Sequence, residues 1–150
     1  DHPFQWGSKR TGPDLARVGG KYSDDWQVRH LIHPQSVVPE SIMPSYSRLM
    51  HEAADLEHIG DHLAALRVVG VPYTDAMVEQ AYNDAMAQAN PDSDNANGLQ
   101  EHYGDKVNVR DFDGQPNMTS EMDALVAYLQ VLGTMADLQD YDPDMKAGGN

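Results

Sequence analysis

Proline and glycine cut this chain into short pieces, and that punctuation constrains its fold more than any other feature. Pro34 stops one apolar run, Gly70 and Pro72 a second, Asn90-Pro91 a third and Gly133 the last. Proline lacks the amide hydrogen a helix interior needs, and glycine ends helices in left-handed backbone, so each run predicts a short helix. Ser23 caps the first, with Asp24 and Asp25 at the positive end of its dipole and Val28, Leu31 and Ile32 on one face. Residues 34–50 carry Pro34, Pro39 and Pro44 and predict a loop of restricted conformation.

Leu56, Ile59, Leu63 and Leu66 recur at helical spacing. Thr74 then caps a run in which Met77, Ala81, Tyr82, Ala85 and Met86 share a face. Residues 90–98 read as a polar linker. Residues 99–118 show no clear period beyond a short extended piece at Val107-Asn108-Val109. The last run is the clearest. Thr119 or Ser120 caps it, Glu121 and Asp123 occupy its first turn, and Met122, Leu125, Val126, Leu129 and Leu132 form its apolar stripe. The fold class is mainly α, and the acidic tail from Asp137 is expected to be disordered.

Of the 150 residues, 40% are hydrophobic and only 7% aromatic, which suits one domain with a modest core or a small domain with long insertions. No stretch approaches the roughly 18–20 apolar residues of a membrane span. The first residue is Asp1, so the chain reads as an excised or processed segment. Residues 1–50 carry a net charge of +1 and residues 51–150 a net −15, giving −14 overall. An acidic surface of that size repels nucleic acid and anionic lipid, and it either steers a basic partner or simply solubilises the chain. With no cysteine, disulfides, thiolate zinc sites, iron–sulfur ligation and thioether attachment of haem are excluded within these residues.

Three features could carry chemistry. Arg10-Thr11-Gly12-Pro13-Asp14-Leu15 is by itself a turn before an anchoring leucine. Met43, in the proline-fixed stretch Ser41-Ile42-Met43-Pro44-Ser45-Tyr46, is either a core filler or a thioether held rigidly enough to ligate haem iron. His30 and His33, and His58 and His62, are spaced to share a metal, yet they sit among charged residues and read equally as solvated helix faces. No phosphate loop, Gly-x-Ser-x-Gly or His-Glu-x-x-His occurs, so nothing supports an enzyme acting alone.

In order, these pieces resemble a known family. Asp1-His2-Pro3-Phe4-Gln5-Trp6-Gly7-Ser8-Lys9-Arg10-Thr11-Gly12-Pro13-Asp14-Leu15 and Val18-Gly19-Gly20-Lys21-Tyr22-Ser23-Asp24-Asp25-Trp26 look like the monohaem cytochrome c subunit of cbb3-type oxidases, the CcoO or FixO family. Val38-Pro39-Glu40-Ser41-Ile42-Met43-Pro44-Ser45-Tyr46 is similar to its axial-methionine loop, and residues 66–75 and 121–130 match further along. The resemblance covers about 1–50, 63–75 and 103–134.

The resemblance implies a cytochrome c-like helical domain over 1–134, with an insertion at about 75–118 and the tail 135–150 outside it. It makes Met43 the distal haem-iron ligand and places the Pro13 carbonyl against the proximal histidine. It also puts Trp6 and Arg10 near the haem propionates. It implies a periplasmic, membrane-anchored parent that passes electrons from a dihaem cytochrome c subunit through one haem c towards the haem–copper subunit that reduces oxygen. The family's Cys-x-x-Cys-His motif and anchor helix have no counterpart here, so the chain reads as a redox-inactive fragment without covalent haem. Its final apolar stripe, deprived of the N-terminal helix, is expected to drive self-association. The competing reading is a non-redox periplasmic interaction module, or a metal-binding module that uses its histidines.

Overall fold

In the computed structural model, which describes residues 12–134, the chain is helical, as the sequence leads one to expect. Among the described residues, seven α-helices run in the order α1 (Asp24–Ile32), α2 (Pro34–Val37), α3 (Ile59–Val68), α4 (Asp75–Glu79), α5 (Ala81–Gln88), α6 (Ala96–Tyr103) and α7 (Glu121–Val131). Two 3₁₀ turns lie at Leu15–Arg17 and Ser47–Met50. Among the described residues the β pairing is one isolated bridge between Ala53 and Ser120, and no helix is long and apolar enough to cross a membrane. The chain divides into a larger unit, Ser23–Ala127, and a smaller one formed by Asp1–Tyr22 with Tyr128–Asn150.

In the larger unit, the Ser23 hydroxyl accepts the Trp26 amide at 3.2 Å and starts α1, which buries Gln27, Val28 and Leu31. Pro34 ends that run but also opens α2, because the first helical position needs no amide hydrogen. The stretch predicted as loop over 34–50 is therefore helical at both ends. α3 buries Leu63, packs on α4 and α5, and ends at Gly70 with φ +100°.

The single run predicted after Thr74 is two helices, α4 and α5, broken at Gln80. The buried face of α5 is also rotated from the predicted stripe. Ala81, Asp84 and Ala87 are buried, while Tyr82 and Met86 are exposed. A polar contact sets that face: the Asp84 carboxylate meets His102 Nδ1 of α6 at 2.7 Å. α6 itself falls where the sequence shows no period, because Leu99 is its one buried residue. Val107-Asn108-Val109 belongs to no strand.

The first two turns of α7 fall in the larger unit, and Met122 and Val126 there are fully buried. Leu125, Leu129 and Leu132 are half-buried. Met122 and Val126 are thus covered within the chain, while Leu125, Leu129 and Leu132 keep part of their surface exposed.

In the smaller unit, loop 13–22 is a chain of tight turns. The Asp14 side chain accepts the Ala16 amide at 3.1 Å, and backbone bonds join Arg17 to Asp14, Val18 to Leu15 and Lys21 to Val18. This loop lies directly on the end of α7: the Gly19 amide donates to the Leu132 carbonyl at 3.0 Å. A Cβ at Gly19 would stand 2.5 Å from that oxygen, and a Cβ at Gly133 only 1.8 Å from the Ala16 carbonyl oxygen. Gly133 also holds φ at +78°. Gly133→Ala combines a clash with backbone and strained dihedrals, so it should cost about 3 kcal/mol or more of unfolding free energy. Chemical denaturation followed by circular dichroism checks this, and a midpoint unchanged from the parent would contradict the close approach.

Candidate functional site

The Met43 loop is built on the end of α1. The Tyr46 amide donates to the Leu31 carbonyl at 2.8 Å, and the Ser45 hydroxyl to the Ile32 carbonyl at 2.6 Å. From α2, Gln35 Nε2 donates to the carbonyls of Ser41 at 2.9 Å and Met43 at 3.3 Å, and the Met43 amide donates to the Ser41 hydroxyl at 3.2 Å. The two helices thus hold the loop on both sides of Met43, with proline at 39 and 44 limiting its dihedrals. Met43 is half-buried, whereas Ile42 is 91% exposed and Val38 and Tyr46 are also exposed. A thioether on a fixed loop with apolar neighbours facing water fits one axial position at a haem iron.

Pro13 lies in the smaller unit, immediately before the Asp14 cap, and is exposed. No donor among the described residues reaches its carbonyl. A carbonyl so placed fits the acceptor that fixes a ligating histidine ring. Trp6 and Arg10 lie outside the described residues.

The histidines do not converge. His30 stacks on Trp26 at 4.7 Å between ring centroids, and burial lowers its pKa. His58 faces Asp61 at 3.6 Å on the surface, His62 is exposed, and His102 is committed to Asp84. Among the described residues, the one group of three side chains close enough to share a cation is Asp111, Asp113 and Asp123. Its oxygens have other work. Asp123 Oδ1 accepts the Phe112 and Asp113 amides at 3.1 and 3.0 Å, and Oδ2 accepts the Ser120 amide at 3.0 Å. The Ser120 hydroxyl accepts the Asp123 amide at 3.0 Å and lies 2.5 Å from Asp113 Oδ2. This is a capping box on α7 that also holds the 112–113 loop. Beside it, Arg110 pairs with Asp24 at the start of α1 and lies over the Phe112 ring at 4.8 Å.

The match that decides the family spans nearly the whole chain: the family model for the cytochrome c oxidase mono-haem subunit, FixO, covers residues 1–136. The chain belongs to the FixO family. No curated protein matches it. FixO proteins are haem-binding electron-transfer subunits of cytochrome c oxidase, so this chain is part of an oxidase and works with its other subunits. Because the chain has no cysteine, the thioether bonds of a haem c cannot be made by these residues.

Sequence reasoning found the Ser120 cap but missed Asp84–His102, Arg110–Asp24 and the loop-holding role of Asp123. The Ser-x-x-Asp spacing at 120–123 was a legible signal for the cap. The other two pairs join residues 18 and 86 positions apart and leave none.

Burial outweighs the amide bonds at Asp123 and raises its pKa above the ordinary 3.8, with the Asp113 charge adding to the rise. A carboxyl group with a raised folded-state pKa contributes stability below its unfolded pKa and loses it as pH rises through the folded value. The stability of the parent relative to Asp123→Asn should therefore fall as pH rises from about 4 through the carboxylate range. Urea midpoints of both proteins across that range test the sign, and a difference that grows with pH would refute it.

Proposed function

We propose that this chain supplies two groups to the haem c site of a cbb3-type oxidase: Met43 as the thioether ligand, and the Pro13 carbonyl as the acceptor that orients the proximal histidine. The observation that carries the proposal is the Met43 loop, held from Leu31, Ile32 and Gln35 so that the thioether is presented from a fixed backbone. Haem c, when bound, supplies a one-electron Fe(III)/Fe(II) couple. The thioether of Met43 is a soft, neutral donor that favours Fe(II) and so raises the potential, as an electron relay towards an oxygen-reducing centre requires. The Pro13 carbonyl accepts the histidine N–H and fixes the ring. Val38, Ile42 and Tyr46 keep water from the loop once the site is complete.

In this reading the cysteines and the proximal histidine lie outside these 150 residues. The subunit takes electrons from a dihaem partner and passes them to the haem–copper subunit on the periplasmic side of the bacterial inner membrane. The family membership and the cysteine-free sequence together support that division of labour.

The test is Met43→His in the haem-loaded subunit of the assembled oxidase. Imidazole stabilises Fe(III) better than a thioether, so the haem c potential should fall and the sulfur–iron charge-transfer band near the red end of the spectrum should vanish. Survival of the band would show that Met43 is not the ligand.

A further inference from the structure

Gln130 is a polar residue in the most apolar helix of the chain, yet it is 5% exposed. Its amide is used at both ends. Oε1 accepts the Gly20 amide at 3.0 Å, and Nε2 donates to the Tyr22 carbonyl at 2.8 Å. A glutamine side chain that bridges a backbone N–H and a C=O two residues apart completes the loop's backbone pairing as a neighbouring strand would. Lys21, between the two bonded residues, is exposed.

We propose that Gln130 is a positioning residue for the Pro13 carbonyl, acting through loop 13–22. The inference rests on the reading of Pro13 given above. The path is short and continuous. Gly20 and Tyr22 are held by Gln130, Gly19 by Leu132, and the turn at Ala16 by its contact with Gly133. From there the bonds Val18 to Leu15, Arg17 to Asp14 and Ala16 to the Asp14 side chain lead to the residue that follows Pro13. The Pro13 carbonyl shares a planar peptide unit with the Asp14 amide, so its direction is set by the Asp14 φ of −70° at the cap. The glycine contacts set how closely the loop approaches α7. Gln130 sets its register along the helix, because it grips two specific backbone groups.

A hydrogen bond from a ligating histidine to a well-placed carbonyl raises the basicity of the imidazole and stabilises Fe(III). Loosening the carbonyl removes part of that effect. In the haem-loaded subunit of the assembled oxidase, Gln130→Met keeps the volume and removes both bonds. The haem c potential should rise, by about 59 mV if the ferrous-to-ferric balance shifts tenfold for one electron. The low-spin ferric EPR g values, which report the orientation of the axial ring, should shift with it. Leu129→Ala is the structural control: it weakens packing one position away on α7, touches no loop hydrogen bond, and should lower thermal stability with potential and g values unchanged. If Gln130→Met does not assemble, Gln130→Glu keeps the acceptor for Gly20 and loses the donor to Tyr22, and its g values carry the same test.

A Gln130 variant that loses stability but keeps the parent potential and g values overturns the proposal. So does a Leu129→Ala variant that moves them equally. Failure of the Pro13 reading is separate and visible in the unaltered protein, as a proximal-histidine Nδ1–H that exchanges with solvent in the NMR spectrum as fast as an unbonded imidazole N–H.

Discussion

The closing helix α7 is fixed at its two ends by polar contacts, and the organisation of the chain depends on them. At its N-terminus, Ser120 and Asp123 exchange hydrogen bonds, and Asp123 gathers the amides of Phe112 and Asp113. There too, the backbone of residues 52–54 pairs with Thr119 and Glu121. At its C-terminus, Gln130 and two glycines receive loop 13–22. The apolar stripe supplies the burial, with Met122 and Val126 sealed from water, but apolar contact has no direction. Hydrogen bonds to named backbone groups are what set which loop lies where.

The same division runs through the Met43 loop. Three of the apolar residues of this loop, Val38, Ile42 and Tyr46, face water. Its position comes from carbonyls at the end of α1 and from the Gln35 amide. Directional bonds fix the place of a loop where packing cannot. A buried carboxylate is the cost of this arrangement at Asp123, whose pKa is raised because desolvation exceeds the benefit of its amide partners.

The family was legible because its signature is carried by short motifs around Pro13 and Met43, whose residues are contiguous in the chain. Much of the fold was legible for a related reason. Ser23, Thr74 and Ser120 cap helices through bonds that reach only three residues, and Gly70 and Gly133 adopt positive φ in place. The region 75–118 was less so. Its stripe of alanines and methionines carries little apolar area, so periodicity pointed to Tyr82 and Met86, and the structure buries Asp84 instead.

By itself the sequence determined the helical class, the caps of α1, α4 and α7, the glycine stops at Gly70 and Gly133, the family, and the absence of thioether chemistry within these residues. All of these follow from preferences that act within a few residues or from composition. Only the tertiary structure decided that Asp84 would meet His102, that Arg110 would bind Asp24, and that Gln130 would close the turn at Gly20 and Tyr22 from more than a hundred residues away. Each of those side chains could as well have been solvated in the open chain. They became partners because folding removed water from around them and left one another as the remaining way to satisfy their hydrogen bonds.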